Sequence, residues 1–142
     1  MPQLDLSALS ENLEREEGFR AYAYRDTAGK LTIGHGILID RDGGGITIEE
    51  SRYLMANRIA AKLAELDDRW PWWRDMPATA QQALAEMAYQ IGTAGVGRFV
   101  RMLAALHAGA YDTASTEALA SRWAQQTPER AARVAAMMRG EA

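Results

Sequence analysis

Apolar positions along this chain change period twice. Leu6, Leu9 and Leu13 fall on one stripe at helical spacing, and Gly18 is a natural stop, so a helix is predicted over Ser7–Glu17. From Tyr22 to Ile39 the pattern turns to short β-like runs, Tyr22–Tyr24, Leu31–Ile33 and Ile37–Ile39, around the turn signal Ala28-Gly29. Six of the twelve glycines lie between Gly29 and Gly45. The expectation is a small antiparallel sheet of two or three strands, too small to be stable alone.

From Thr47 onward the helical period returns. Thr47 with Glu50 three residues on is a capping box, and the helix it opens is predicted to run to about Leu66. Trp70-Pro71-Trp72-Trp73 punctuates it. Further helices are predicted over Ala78–Ile91, Gly97–Ala108, Tyr111–Gln125 and Pro128–Met138, with Thr127 as N-cap and Pro128 at the first helical position. The fold class that follows is α+β in one domain. A small β-lobe (18–46) and a larger helical lobe (1–17 and 67–142) are joined by a long helix (47–66).

Composition narrows the chemistry. A chain of 142 residues, 48% hydrophobic and 25% charged, is globular and long enough to bury a core. It has no cysteine, which removes thiol nucleophiles and thiolate metal sites, and only two histidines, His35 and His107, which leaves no multi-histidine zinc site. The net charge of −3 argues against capture of nucleic acid or anionic membrane. No apolar run approaches the ~18 residues of a membrane span. The segment Met1-Pro-Gln-Leu-Asp-Leu-Ser7 does not read as a secretory signal.

A hydrolase so composed must lean on carboxylates. Glu16-Glu17-Gly18 ends the first helix, and Tyr24-Arg25-Asp26-Thr27 follows nine residues later on a strand or turn. A helix C-terminus carries partial negative charge and disfavours an ionised carboxylate, which suits a general acid, whereas an acid in a polar turn stays ionised. Glu16 and Glu17 flank the leucine stripe on opposite sides, so periodicity does not choose between them. A pair of solvated surface acids fits the same pattern.

The chain resembles the phage-type lysozymes, glycoside hydrolase family 24. The resemblance rests on Glu17-Gly18, Tyr24-Arg25-Asp26-Thr27 and Leu31-Thr32-Ile33-Gly34 at the front. Farther on it rests on Met87–Phe99 and on Ser121–Val134, which holds Trp123 and Thr127-Pro128-Glu129-Arg130. In that family a Glu before Gly, an Asp nine residues on and a Thr six after that are catalytic, and Glu17, Asp26 and Thr32 keep both spacings. The resemblance implies hydrolysis of the β-1,4 bond between N-acetylmuramic acid and N-acetylglucosamine in peptidoglycan, with inversion. Glu17 would protonate the leaving oxygen, and Asp26 with Thr32 would activate a water. An inverting pair stands ~6.5–9.5 Å apart, a retaining pair ~5–5.5 Å. Leu38 and Tyr89 match positions lining the sugar cleft, Gln90 a polar neighbour, and Arg130 an arginine that approaches the catalytic Glu.

Two departures stand out. The histidine of the family's Thr-Ile-Gly-x-Gly-His pattern is moved inward, to His35 between Gly34 and Gly36, and the Asp26–Thr47 segment is short. Met102 and Glu117 stand where the family has further polar cleft residues, and no role is carried over to them. Blander readings apply to several residues. His35 reads as a turn histidine bonded to backbone, His107 as a partner of a helix C-terminus, Trp123 as core, and Trp70, Trp72 and Trp73 as helix-junction packing rather than a sugar platform.

The expected protein therefore needs no cofactor or metal, acts on peptidoglycan glycan strands as a monomer, and neither binds nucleic acid nor inserts stably into membrane. It would be made in a host cytoplasm and reach the periplasmic wall through a separate membrane-permeabilising protein, as an endolysin, or be delivered as a toxin. The alternatives are a peptidoglycan-binding module of the same fold and a lytic transglycosylase.

Overall fold

A computed structural model describes residues 2–141. The chain forms two compact units that divide between Arg52 and Tyr53. The first holds α1 (Leu6–Glu17), an antiparallel sheet of β1 (Arg20–Arg25), β2 (Leu31–Gly34) and β3 (Ile37–Leu38) in that order, and a 3-10 turn, Arg41–Gly43. α2 (Ile48–Arg69) then carries the chain into the second unit. That unit continues with a 3-10 segment (Pro71–Asp75), α3 (Ala78–Gly97), α4 (Val100–His107), α5 (Tyr111–Leu119), α6 (Arg122–Gln126) and α7 (Pro128–Met138). The fold is α+β and lysozyme-like, mostly helical with one small sheet. No helix among the described residues is long and apolar enough to cross a membrane.

In the first unit local chemistry sets the element ends. Asp5 caps α1 by accepting from the Ala8 N–H at 3.0 Å, and the helix stops at Gly18, whose N–H reaches the Glu14 carbonyl. The leucine stripe Leu6, Leu9 and Leu13 is exposed. β1 and β2 pair Tyr24 with Thr32 and Arg25 with Leu31; β2 and β3 pair Thr32 with Leu38 and Ile33 with Ile37. An irregularity between Arg20 and Tyr24 shifts the register, so Arg20 pairs with Gly34. The capping box at the start of α2 is made: the Thr47 N–H donates to Glu50 at 2.8 Å and the Glu50 N–H to Thr47 Oγ1 at 3.1 Å.

The second unit holds the apolar core. Ala80, Ala83, Leu84, Met87 and Ala88 of α3 recur at steps of three and four and are buried, so one helix face is closed by small and long side chains in turn. They pack with Leu66, Trp73, Met102, Leu106, Trp123, Val134 and Met138. Burying a side chain of that kind is worth roughly 1.5–3 kcal/mol, so this cluster dominates the unit's stability.

Three expectations are corrected. The helix predicted over Ala78–Ile91 does not end at Gly92; that glycine takes φ 77°, kinks the axis, and helical turns resume to Gly97, while the next helix starts at Val100. The single helix predicted over Tyr111–Gln125 is two, because Ser121 is extended and its Oγ accepts from the Ala124 N–H, opening a new helix. Thr127 sits at the N-cap position of α7 but caps nothing: its hydroxyl donates to the Trp123 carbonyl at 3.0 Å.

Candidate active site

Glu17, Asp26, Thr32 and Leu38 all belong to the first unit. Glu17 is the last residue of α1, and its exposed side chain lies against the Cα of Gly36 in the β2–β3 turn. Asp26 follows β1 directly and builds the turn to β2. Its Oδ1 accepts from the Ala28 N–H at 2.9 Å and the Lys30 N–H at 2.8 Å, and its N–H donates to the Lys30 carbonyl at 2.9 Å. Two donors on one oxygen lock the side chain, an Asx-turn arrangement that needs an Asp or Asn here. No described residue donates to Oδ2.

Thr32 is the sole buried residue among those described in the first unit, 4% exposed. Its hydroxyl donates to the Lys30 carbonyl at 3.0 Å, which leaves the oxygen lone pairs as acceptors. The register places Tyr24, Thr32 and Leu38 in one cross-strand row on the same sheet face, with Asp26 two residues past its edge. Arg20 stacks its guanidinium 4.2 Å from the Tyr24 ring centroid. Leu38 is half-buried under the 3-10 turn, where a Cβ on Gly43 would stand 2.5 Å from Leu38 Cγ.

Around these groups the charges are tied into the loop. Asp40 accepts from the Leu31 and Asp42 N–H groups, and these bonds, aided by Lys30 and Arg25, hold its carboxyl below the usual carboxylate range. Lys30 pairs with Asp42. Arg25 donates to the Gly29 carbonyl at 2.9 Å. The loop that presents Asp26 is thus braced on both sides.

Tyr89, Gln90 and Arg130 belong to the second unit. Tyr89 and Arg130 line one groove of about 340 Å³, together with Met55, Ile59, Leu63 and Glu86. Gln90, next to Tyr89 on α3, turns to the core and accepts from Trp123 Nε1 at 2.9 Å. Trp123 is buried, and so is Trp73, which donates its indole N–H to Asp67 at 2.8 Å. His107 stacks on Trp72 with ring centroids 4.6 Å apart. Among the described residues none forms with the His35 side chain the backbone hydrogen bond expected of a turn histidine; its ring lies 5.4 Å from that of Phe19. Sequence reasoning gave Gly36 no role. No group of three or more His, Asp or Glu among the described residues could hold a metal ion.

The chain was compared with known proteins. A family model described as phage lysozyme matches residues 14–139. The "Pre-baseplate central spike protein Gp5" of Enterobacteria phage T4 is 33% identical over 153 residues, covering 89% of this chain and 27% of that protein. The "Probable T4-type lysozyme 2" of Dictyostelium discoideum is 25% identical over 156 residues, covering 91% of this chain and 92% of that protein. The match reaches from the last turn of α1 to the end of α7 and takes in Glu17, Asp26 and Thr32. On that extent the chain belongs to the phage lysozyme family.

Proposed function

We propose that this protein is a muramidase that hydrolyses the β-1,4 bond between N-acetylmuramic acid and N-acetylglucosamine in peptidoglycan, with inversion. The observation that carries the reading is Asp26, pinned through Oδ1 by two backbone N–H groups beside Thr32, nine residues after a glutamate at a helix end. Glu17 gives its proton to the glycosidic oxygen as the C1–O bond breaks. A water attacks C1 from the opposite face and loses a proton to Asp26. Thr32, its own proton committed to the Lys30 carbonyl, accepts a hydrogen bond from that water and orients it. The cycle leaves Glu17 ionised and Asp26 protonated, and exchange with solvent resets both. By the family resemblance Leu38, Tyr89 and Gln90 are assigned to the glycan.

The test is clearing of permeabilised Gram-negative cells by wild type and by Glu17→Gln. The expected result is clearing by wild type alone; equal clearing by both discards Glu17 as the acid, and clearing by neither favours a peptidoglycan-binding module.

A further inference from the structure

The end of α1 and the β2–β3 turn meet at one point, where Glu17 crosses Gly36. A Cβ built on Gly36 would overlap Glu17 Oε2 and stand 2.6 Å from Cδ and 3.0 Å from Cγ. Real Cβ atoms do not come that close, so the carboxyl occupies space that exists only because residue 36 has no side chain. Gly36 also takes φ +68°, which an L residue adopts at a cost. That alone would explain a glycine. The last residue of β2 helps separate the two reasons: Gly34 has φ +66°, nearly the same φ, yet a Cβ there would meet only Ile37 Cδ1 at 3.5 Å, an ordinary contact. Both glycines serve the turn; one of them also serves Glu17.

A second contact ties the same two segments. Phe19, two residues past Glu17, lies with its ring 5.4 Å from that of His35, the residue before Gly36. The β1–β2 register adds a third tie by pairing Arg20 with Gly34. Backbone pairing, ring contact and the Glu17–Gly36 approach fix the helix end against the turn within four residues of chain on each side.

We propose that Gly36 is a positioning residue for Glu17: its bare Cα is the floor on which the carboxyl rests, and it sets the height at which the proton is presented. The proposal rests on the reading of Glu17 as proton donor. A side chain at position 36 pushes the carboxyl off that floor, and displacement of a reacting group by about 1 Å can cost on the order of 100-fold in rate.

The experiment compares Gly36→Ala with Gly34→Ala, each alone and combined with Glu17→Ala, by thermal unfolding and by kinetics on soluble un-cross-linked glycan strands. Gly36→Ala is expected to lower kcat about 100-fold with KM within about threefold, while Gly34→Ala keeps kcat within about fivefold. In thermal unfolding the excess Tm loss of Gly36→Ala over Gly34→Ala should be small, because the carboxyl is the far end of an exposed, flexible side chain that can give way, and it should vanish in the Glu17→Ala background. Equal loss of kcat in the two glycine variants overturns the proposal, as does an excess Tm penalty that survives removal of the Glu17 side chain. Should Gly36→Ala fail to fold, the double variant with Glu17→Ala must recover folding for the proposal to stand. If wild type cleaves nothing, the muramidase reading falls, and the unfolding cycle still decides whether Gly36 seats Glu17.

Discussion

Trp123 donates its indole N–H to the side-chain oxygen of Gln90 at 2.9 Å, joining α6 to the middle of α3 through two groups 33 residues apart in sequence. The contact commits the side-chain oxygen of Gln90 to the core. Replacing the acceptor with an apolar residue strands a buried N–H. Gln90→Leu is therefore expected to cost about 1–3 kcal/mol. Trp123→Phe, which removes the donor and some volume together, should cost about 2 kcal/mol, and the two losses should not add in the double variant. Urea unfolding with an unchanged m-value is the check, and additive losses would mean the hydrogen bond contributes nothing.

The kink in α3 depends on one backbone angle. Gly92 sits at φ 77° and a Cβ there would meet nothing within 4 Å. With ψ 161° this is a backbone region that essentially only glycine adopts, so Gly92→Ala should cost that backbone penalty alone, on the order of 1–3 kcal/mol. The network that holds the kink is separate: Thr93 donates its hydroxyl to Glu65 at 3.0 Å, and Arg69 donates to the Thr93 carbonyl at 3.3 Å. Urea unfolding of Gly92→Ala reads the penalty directly, and a loss well above that range would show a steric clash instead.

Acid should unfold the protein through a short set of carboxylates. The Arg74 guanidinium, and then the Trp73 indole N–H, hold the Asp67 carboxyl below its usual range. Thr93 and Lys62 do the same for Glu65, and Thr47 for Glu50. A carboxylate with a lowered folded-state value stabilises the fold above its unfolded value, and that contribution disappears as pH falls through the folded value. Asp67→Asn is expected to lower Tm at pH 6 and to approach wild type only as pH falls below the lowered folded-state value of Asp67, where both side chains are neutral. A Tm difference that stays constant across that range would contradict the assignment.

How much of this was legible beforehand follows from which forces are local. The α1 stop at Gly18 and the Thr47–Glu50 capping box involve residues within four of each other, and the sequence pattern placed both. The break at Ala120-Ser121 was not legible, because neither Gly nor Pro marks it. It depends on Ser121 accepting from the Ala124 N–H while donating to the Ala118 carbonyl. At the candidate site periodicity left Glu16 and Glu17 open, and the family resemblance singled out Glu17, Asp26 and Thr32. The turn that locks Asp26 could be anticipated from Asp-Thr-Ala-Gly. The seat of Glu17 on Gly36 and the Phe19–His35 contact could not, since both arise only when the helix end folds onto the turn.

The central claim is that a proton from Glu17 cleaves the glycan and a water completes the cleavage. Its most direct test is the mass of the muropeptides released from purified sacculi by wild type, Glu17→Gln and Asp26→Asn. The account predicts that wild type releases fragments ending in a reducing N-acetylmuramic acid, one water heavier than the anhydro form, and that both variants release almost none. Anhydro-ended fragments from wild type, or undiminished reducing ends from Glu17→Gln, would contradict it.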